Sequence, residues 1–499
     1  MFLSIILLLS VSCWVLIYLI GRNNENYWRK RGVKFHNKHK VAGIFGEVFT
    51  SDKPIFKVAE NIYKQYCDEP AVGLGGFLTP TLLVRDETNL QHIFQTDFQS
   101  FNHRGVETSK GDLLADNLLF MRGNRWKLMR QSMTPMFTSA KLKKMFYIMD
   151  KSGKDFISYL KHNPERLNGN AYDSLTTFCC AAIGASVFGV VSESVFESPF
   201  LKVARRVVKQ TFRNNLKAAI LNFSPWLAKT LNIKLFSNYE DFFIGAVKRM
   251  IRQREKEHGQ SHDFVDICVN LQKNGTLKDR ETGLVLVPTD ELLSGQAFFF
   301  FLAGVEPSAT ALMACLLQLG KHPDHLEKLH KEIDMVHDKL NGKLTFESVM
   351  EMEYLDKVLC ESVRILPPVG LLVRQCVKNT VLPTGNIKID EGTKIFAPVY
   401  AMHNDPKYFP NPDVFDPERF ASESTYNGHM YMPFGKGNRL CIGNRFAQLQ
   451  VKTGLIYFLR NFTVKTIIDG DEFKYNKKQG QVRPCNADVK FIPRKITGL

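Results

Sequence analysis

Cysteine is scarce in this sequence: 10 of 499 residues, with no Cys-x-x-Cys pair anywhere. That excludes a disulfide-built scaffold and the common zinc and dithiol redox motifs, and it fits a reducing compartment. Acidic residues are also short, at 50 against 66 lysines and arginines, a formal charge of +16. Such a balance invites a nucleic-acid partner, but the aromatic residues argue against one. With 38 Phe to 15 Tyr and 4 Trp, they suit an apolar interior better than a stacking surface. No Gly-x-Gly-x-x-Gly occurs, since Gly73-x-Gly75 and Gly435-x-Gly437 both lack the third glycine, so the chain holds no obvious nicotinamide or flavin fold. Internal repeats are absent. A hydrophobic share of 44% with 33 Gly and 21 Pro excludes collagen-like and disordered chains and leaves a globular protein.

One long apolar run is present, the 19 uncharged residues from Phe2 to Ile20. Arg22, Arg29, Lys30, Arg31, Lys34, Lys38 and Lys40 follow it against a single acid, Glu25. The length suits a membrane anchor; a cleaved signal peptide wants a basic start, a shorter run and a small-residue cleavage site. The basic flank directs the N-terminus to the lumen and the rest of the chain to the cytoplasm. Asn222-Phe-Ser and Asn461-Phe-Thr then match glycosylation sequons by chance. The next apolar stretch, Ala297 to Gly304, is too short to span.

The remainder reads as mainly α with small β-sheets. Helical periodicity covers Trp126 to Met149, Tyr172 to Phe188, Asp241 to Lys256, Thr289 to Leu319, Pro323 to Lys339, Asp356 to Leu366 and Asn444 to Leu459. Short β-type runs lie at Thr81 to Val84, Leu371 to Val373, Lys394 to Val399 and Val489 to Ile492, and turn clusters such as His403-Asn-Asp-Pro separate the later elements. The histidines at 322, 325 and 330 have poor spacing for a metal and read as solvated.

The strongest chemical signal is the loop from Pro433 to Gly443, which places Cys441 at a helix start. Backbone N–H groups and the helix dipole favour a thiolate there, as does any metal the sulfur binds. Gly437 and Gly443 allow close backbone approach, Phe434 can cover one face of a planar ligand, and Arg439 can pair an anionic group. An isolated cysteine is ordinarily a small buried hydrophobe; the surrounding pattern points instead to an axial thiolate.

Phe434-x-x-Gly-x-Arg-x-Cys-x-Gly443 resembles the haem loop of the cytochrome P450 family. Glu361-x-x-Arg364, Pro417-Glu-Arg-Phe420, Trp126-x-x-x-Arg130 and Ala303-Gly-Val-Glu306 follow the family's other motifs. Tyr27-Trp-Arg-Lys-Arg-Gly, Phe137-Thr-Ser-Ala-Lys-Leu and Leu366-Pro-Pro-Val-Gly look most like the microsomal drug-metabolising type, especially insect family-six and family-nine enzymes. The resemblance implies the P450 fold behind an N-terminal transmembrane anchor: residues 1–21 as anchor, 22–50 as basic linker and 51–499 as haem-thiolate catalytic domain. Relatives usually carry a proline-rich hinge after the anchor, whereas Gly32 to Thr50 has no proline. The resemblance further implies haem b with Cys441 as the iron ligand, and Arg104, Trp126, Arg130, Arg374 and Arg439 as its propionate partners. Glu361, Arg364 and Arg419 would form a buried structural network. Electrons would come from NADPH-cytochrome P450 reductase, with cytochrome b5 as an auxiliary donor, at the cytoplasmic face of the endoplasmic reticulum membrane.

On the long helix, small Ala303 and Gly304 leave room above the iron, and part of the run Phe298 to Phe301 shares their face. Glu306 is placed for proton delivery. Relatives follow this acid with a threonine that serves the oxygen chemistry; this chain has Pro307, which supplies no hydroxyl and frees the Ala303 carbonyl from its helical bond. The expected activity is monooxygenation of lipophilic substrates, xenobiotics or endogenous lipids and hormones. The missing hydroxyl motivates one rival, a haem-thiolate isomerase or dehydratase of peroxides; a second, non-enzymatic rival is a lipophile-binding haem protein with poor turnover.

Overall fold

The computed structural model describes residues 2–109, 111–189, 225–257, 263–421, 428–478 and 480–494, with isolated residues between 202 and 221. The Asn222 sequon lies outside the described residues. The architecture is mainly α with small sheets. Its axis is the helix Asp290–Lys321, whose N-cap Thr289 accepts from Leu292 N–H at 3.2 Å and whose first turn carries Asp290 and Glu291. Both features suit a helix start. This helix and Ala171–Phe188, which packs along it, are long and apolar enough to cross a membrane, yet both are buried within the body. They are hydrophobic on all sides because protein surrounds them. Uninterrupted apolar runs in the sequence do not mark either of them as a span. Ala171–Phe188 is capped by Asn170 and ends at Gly189 in the left-handed region, φ 62°, a turn that costs glycine little.

Most expected elements are present within a few residues. The exception is the continuous helix expected over Trp126 to Met149. It is two helices, Gly123–Met133 and Ser139–His162, separated by a 3-10 turn at Thr134–Phe137. Pro135 cannot donate to the helical ladder and its ring crowds the preceding turn, so the periodicity continues while the axis does not.

The main sheet runs Ala71–Leu74, Thr81–Val84, Lys394–Ala397, Leu372–Gln375, with the middle pair parallel and the outer pairs antiparallel. Phe462–Ile468 pairs antiparallel with Ala487–Pro493, and two short hairpins complete the strands among the described residues. One core fills the helical body and a second lies under the sheet.

The N-terminal helix Phe2–Arg29 is exposed along its apolar run. Its last turns are not. Asn24 donates to the Lys40 and Phe77 carbonyls, and Trp28 is fully buried against Gly73, where an added Cβ would come within 2.3 Å of the indole. Lys34 to His36 exchange hydrogen bonds with Gly73 beside the first strand. The basic segment 22–50 is therefore packed onto the sheet, and Trp28, Val33, Phe35 and Ile44 belong to its core.

Candidate active site

The loop before the helix Asn444–Asn461 is held by its own backbone. Gly435 N–H donates to the Met432 carbonyl, Leu440 N–H to Gly437 and Cys441 N–H to Phe434 at 3.0 Å. Gly437 adopts φ +70°, and a Cβ there would fall 1.7 Å from the Phe94 carbonyl oxygen. Only glycine meets both demands. Beneath the loop, buried His403 accepts from Met432 N–H and stacks on Tyr431; burial among cations pushes its pKa down to about 3. His403 thus serves as a neutral acceptor. The Glu361–Arg364 pair is wholly buried, with contacts of 2.7 and 2.8 Å, and Arg419 reaches the same carboxylate at 3.5 Å. Arg364 also donates to the carbonyls of His403 and Pro412, so the network braces the segment on which the loop rests.

Cys441 opens onto a cavity of about 650 Å³. Phe434, Arg104, Trp126, Arg130 and Arg439 line the same cavity, and Ala303, Gly304, Glu306 and Pro307 of the long helix form another part of its wall. Ala303 is exposed within a mostly buried stretch of the helix because it faces this space. Phe298, Phe299 and Phe300 line it too, whereas Phe301 packs into the core against Phe188 and Phe243. Of the sequence-predicted residues only Arg374 stands off the wall; it lies behind Arg104 and Arg439 with its guanidinium 4.5 Å from the Phe94 ring.

The arginines define what the cavity can hold. Among the described residues, none of Arg104, Arg130, Arg374 and Arg439 has a carboxylate partner, and burial holds all four below the usual guanidinium range, Arg439 to about 8. Arg439 donates to the carbonyls of Asn102, Leu118 and Met121 and lies over the Trp126 ring at 4.1 Å. Nε of Arg104 and of Arg374 has no partner. Unpaired buried cations are costly, and an anionic ligand removes the cost. Burial raises the Cys441 pKa, while the Gly443 N–H and the charges of Arg104 and Arg130 act the other way. A thiol thus restrained from ionising becomes a thiolate on binding a metal. A largely apolar cavity with a cysteine in a glycine-flanked loop and clustered cations fits a planar dianionic cofactor carrying a metal.

Sequence reasoning missed Tyr172 and Gln481, which surround Glu306. Tyr172 donates to Glu306 Oε2 at 3.2 Å, and Gln481 stands on the cavity wall. No local spacing relates either to Glu306. Burial raises the Glu306 pKa, opposed by Tyr172, Arg483 and Gln481.

The chain matches the Cytochrome P450 family model over residues 37–491. It is 33% identical to the probable cytochrome P450 6a13 of Drosophila melanogaster, covering 92% of each chain. It is 32% identical to cytochrome P450 6B7 of Helicoverpa armigera, covering 97% of each, and 32% identical to cytochrome P450 9e2 of Blattella germanica, covering 92% of each. The chain belongs to the cytochrome P450 family, which makes it a haem b monooxygenase with an axial cysteine thiolate, served by a redox partner and acting on a small molecule.

Proposed function

We propose that this protein is a membrane-anchored monooxygenase of lipophilic substrates, with Cys441 as the axial ligand. The observation that carries the assignment is the convergence of the Cys441 loop and arginines that have no carboxylate partner among the described residues on a single apolar cavity. Arg104, Arg130, Arg374 and Arg439, with Trp126, would hold the two haem propionates, and Phe434 would cover one face. When bound, the haem supplies the redox chemistry by which one oxygen atom enters the substrate and the other leaves as water. The chain's own part is positional. The phenylalanine wall excludes water and receives an apolar substrate, Ala303 and Gly304 leave space, and Glu306 holds a proton at its carboxyl beside Pro307.

NADPH-cytochrome P450 reductase is the electron donor in this reading, with cytochrome b5 as auxiliary. Residues 1–21 anchor the chain in the endoplasmic reticulum membrane, the packed basic segment 22–50 joins the anchor to the catalytic domain 51–499, and that domain faces the cytoplasm. The exposed apolar helix and its basic flank support this topology. Removal of residues 1–21 is expected to move the protein from the integral fraction to a peripheral one released by high salt; glycosylation at Asn461 in microsomes would contradict the orientation.

The test of the catalytic reading is coupling. With reductase, NADPH and one good lipophilic substrate, Pro307→Thr is expected to raise product and lower hydrogen peroxide released per NADPH, because it adds a hydroxyl beside the acid. Glu306→Gln is expected to lower product formation by about a hundredfold, the low end of general-acid contributions. If both variants behave as wild type, the proton donor lies elsewhere. The missing hydroxyl at 307 favours one alternative, isomerisation or dehydration of peroxides without outside electrons. Product formation from a peroxide substrate in the absence of NADPH would select it.

A further inference from the structure

Pro307 leaves the cavity face of the long helix without a hydroxyl at that position, but side chains from two distant segments close around the neighbouring acid. Tyr172 is buried in the first turn of Ala171–Phe188. Its hydroxyl lies 3.2 Å from Glu306 Oε2 and 3.2 Å from the Thr310 hydroxyl, one helical turn beyond Glu306. Thr310 donates to Gln481 Oε1 at 2.5 Å. Gln481 lies in the loop ahead of strand Ala487–Pro493, on the cavity wall that Glu306 shares. Arg483, two residues on, places its guanidinium 3.7 Å from the centre of the Tyr172 ring. Among the described residues, the titratable and charged groups that act on Glu306 or feel its charge are Tyr172 and Cys179 from one helix and Arg483 from the loop.

A carboxyl on a single flexible stem is a poor proton donor unless its direction is fixed, because proton transfer demands hydrogen-bond contact with the acceptor. The next residue along the helix is a proline without a hydroxyl, and the contact that fixes the acid comes from Tyr172 on a neighbouring helix. Arg483 stacks on the ring of Tyr172 at 3.7 Å, and the hydroxyl lies between Glu306 and Thr310.

We infer that Tyr172 is a positioning residue for the proton supply of this site: its hydroxyl donates to the Glu306 carboxyl, with Thr310 and Gln481 lying beside it, and keeps the acid at the cavity wall beside Pro307. The inference rests on Glu306 being the proton donor, as proposed above. It assigns the work of the absent helix hydroxyl to a bracket built from three segments.

The test uses the full-length haem-loaded enzyme with reductase and compares Tyr172→Phe, Thr310→Val and Glu306→Gln. Tyr172→Phe keeps the ring under Arg483 and removes only the hydroxyl. Peroxide released per NADPH is expected to rise about fivefold, the factor carried by one hydrogen bond of ordinary net worth, with KM unchanged. The pH at which coupling falls by half should move upward, because the phenol no longer stabilises the carboxylate form. The Glu306 carboxyl band, identified in infrared spectra by its loss in Glu306→Gln, should shift to higher frequency in Tyr172→Phe. Thr310→Val should shift both readouts in the same direction by less. If Tyr172→Phe leaves the pH profile and the carboxyl band in place while Glu306→Gln uncouples the enzyme, the acid works without the bracket and the inference is wrong. Raised KM and lowered thermal stability with an unmoved carboxyl band would reduce Tyr172 to packing and equally overturn it. A silent Glu306→Gln would remove the donor itself.

Discussion

Replacing Cys441 with serine is expected to abolish the strongly red-shifted Soret band of the reduced, carbon-monoxide-bound protein. Two of the ten cysteines, Cys441 and Cys360, line the cavity; Cys179, Cys180, Cys268, Cys315 and Cys376 are buried elsewhere, and Cys13, Cys67 and Cys485 lie at the surface. What separates Cys441 from Cys360 is the loop. The Gly443 N–H and the charges of Arg104 and Arg130 favour its ionised sulfur, whereas Cys360 sits on the helix Glu353–Ile365 with Asp356 4.0 Å away. Serine is nearly isosteric but is not a thiolate donor at neutral pH, so the variant should fold, and monooxygenation should fall to background. Retention of the red-shifted band in Cys441→Ser, or its loss in Cys360→Ser, would move the assignment to the other sulfur.

The second large effect is expected at Arg364. Its side chain and that of Glu361 are both wholly buried, and Arg364→Ala leaves the buried carboxylate, among the described residues, with only a 3.5 Å contact to Arg419 and the Asp416 N–H. Breaking such a pair by removing one partner costs about 3–5 kcal/mol, a large fraction of the roughly 5–15 kcal/mol that keeps a typical domain folded. The carbonyls of His403 and Pro412 lose their donor as well, and they belong to the segment that braces the Cys441 loop. The temperature at which the red-shifted band is half lost should therefore fall far more in Arg364→Ala than in Lys328→Ala, whose bridge to Glu418 is half exposed and so weakly stabilising. Equal shifts in the two variants would show that the buried network does not hold the loop.

The parts of the site that were legible beforehand are those written within one or two helical turns. Phe434 to Gly443 is a contiguous loop whose glycines, arginine and cysteine each answer a local demand, of which Gly437 against the Phe94 carbonyl is the sharpest. Glu361 and Arg364 are three apart on one helix and meet because helices bring such positions together. Trp126 and Arg130 share a face for the same reason. Where local pattern and local geometry part company the reading failed, as at Pro135, which interrupts an unbroken apolar periodicity. The apolar helices Ala171–Phe188 and Asp290–Lys321 show a related limit, since composition records that a segment avoids water and not whether lipid or protein surrounds it.

By itself, then, the sequence determined the family, the cofactor loop and the departure at Pro307, because each is carried by residue types at short fixed spacing. Tertiary structure alone decided what surrounds that proline. Tyr172 and Gln481 lie 134 residues before and 175 residues after Glu306 in the chain, and they reach it only because one helix packs along another and a C-terminal loop folds back onto both. The same holds for Arg104, Arg130, Arg374 and Arg439, drawn from four separate elements into one carboxylate-free cluster. Periodicity and propensity act over a few residues, whereas burial without a counter-charge is a property of the assembled interior.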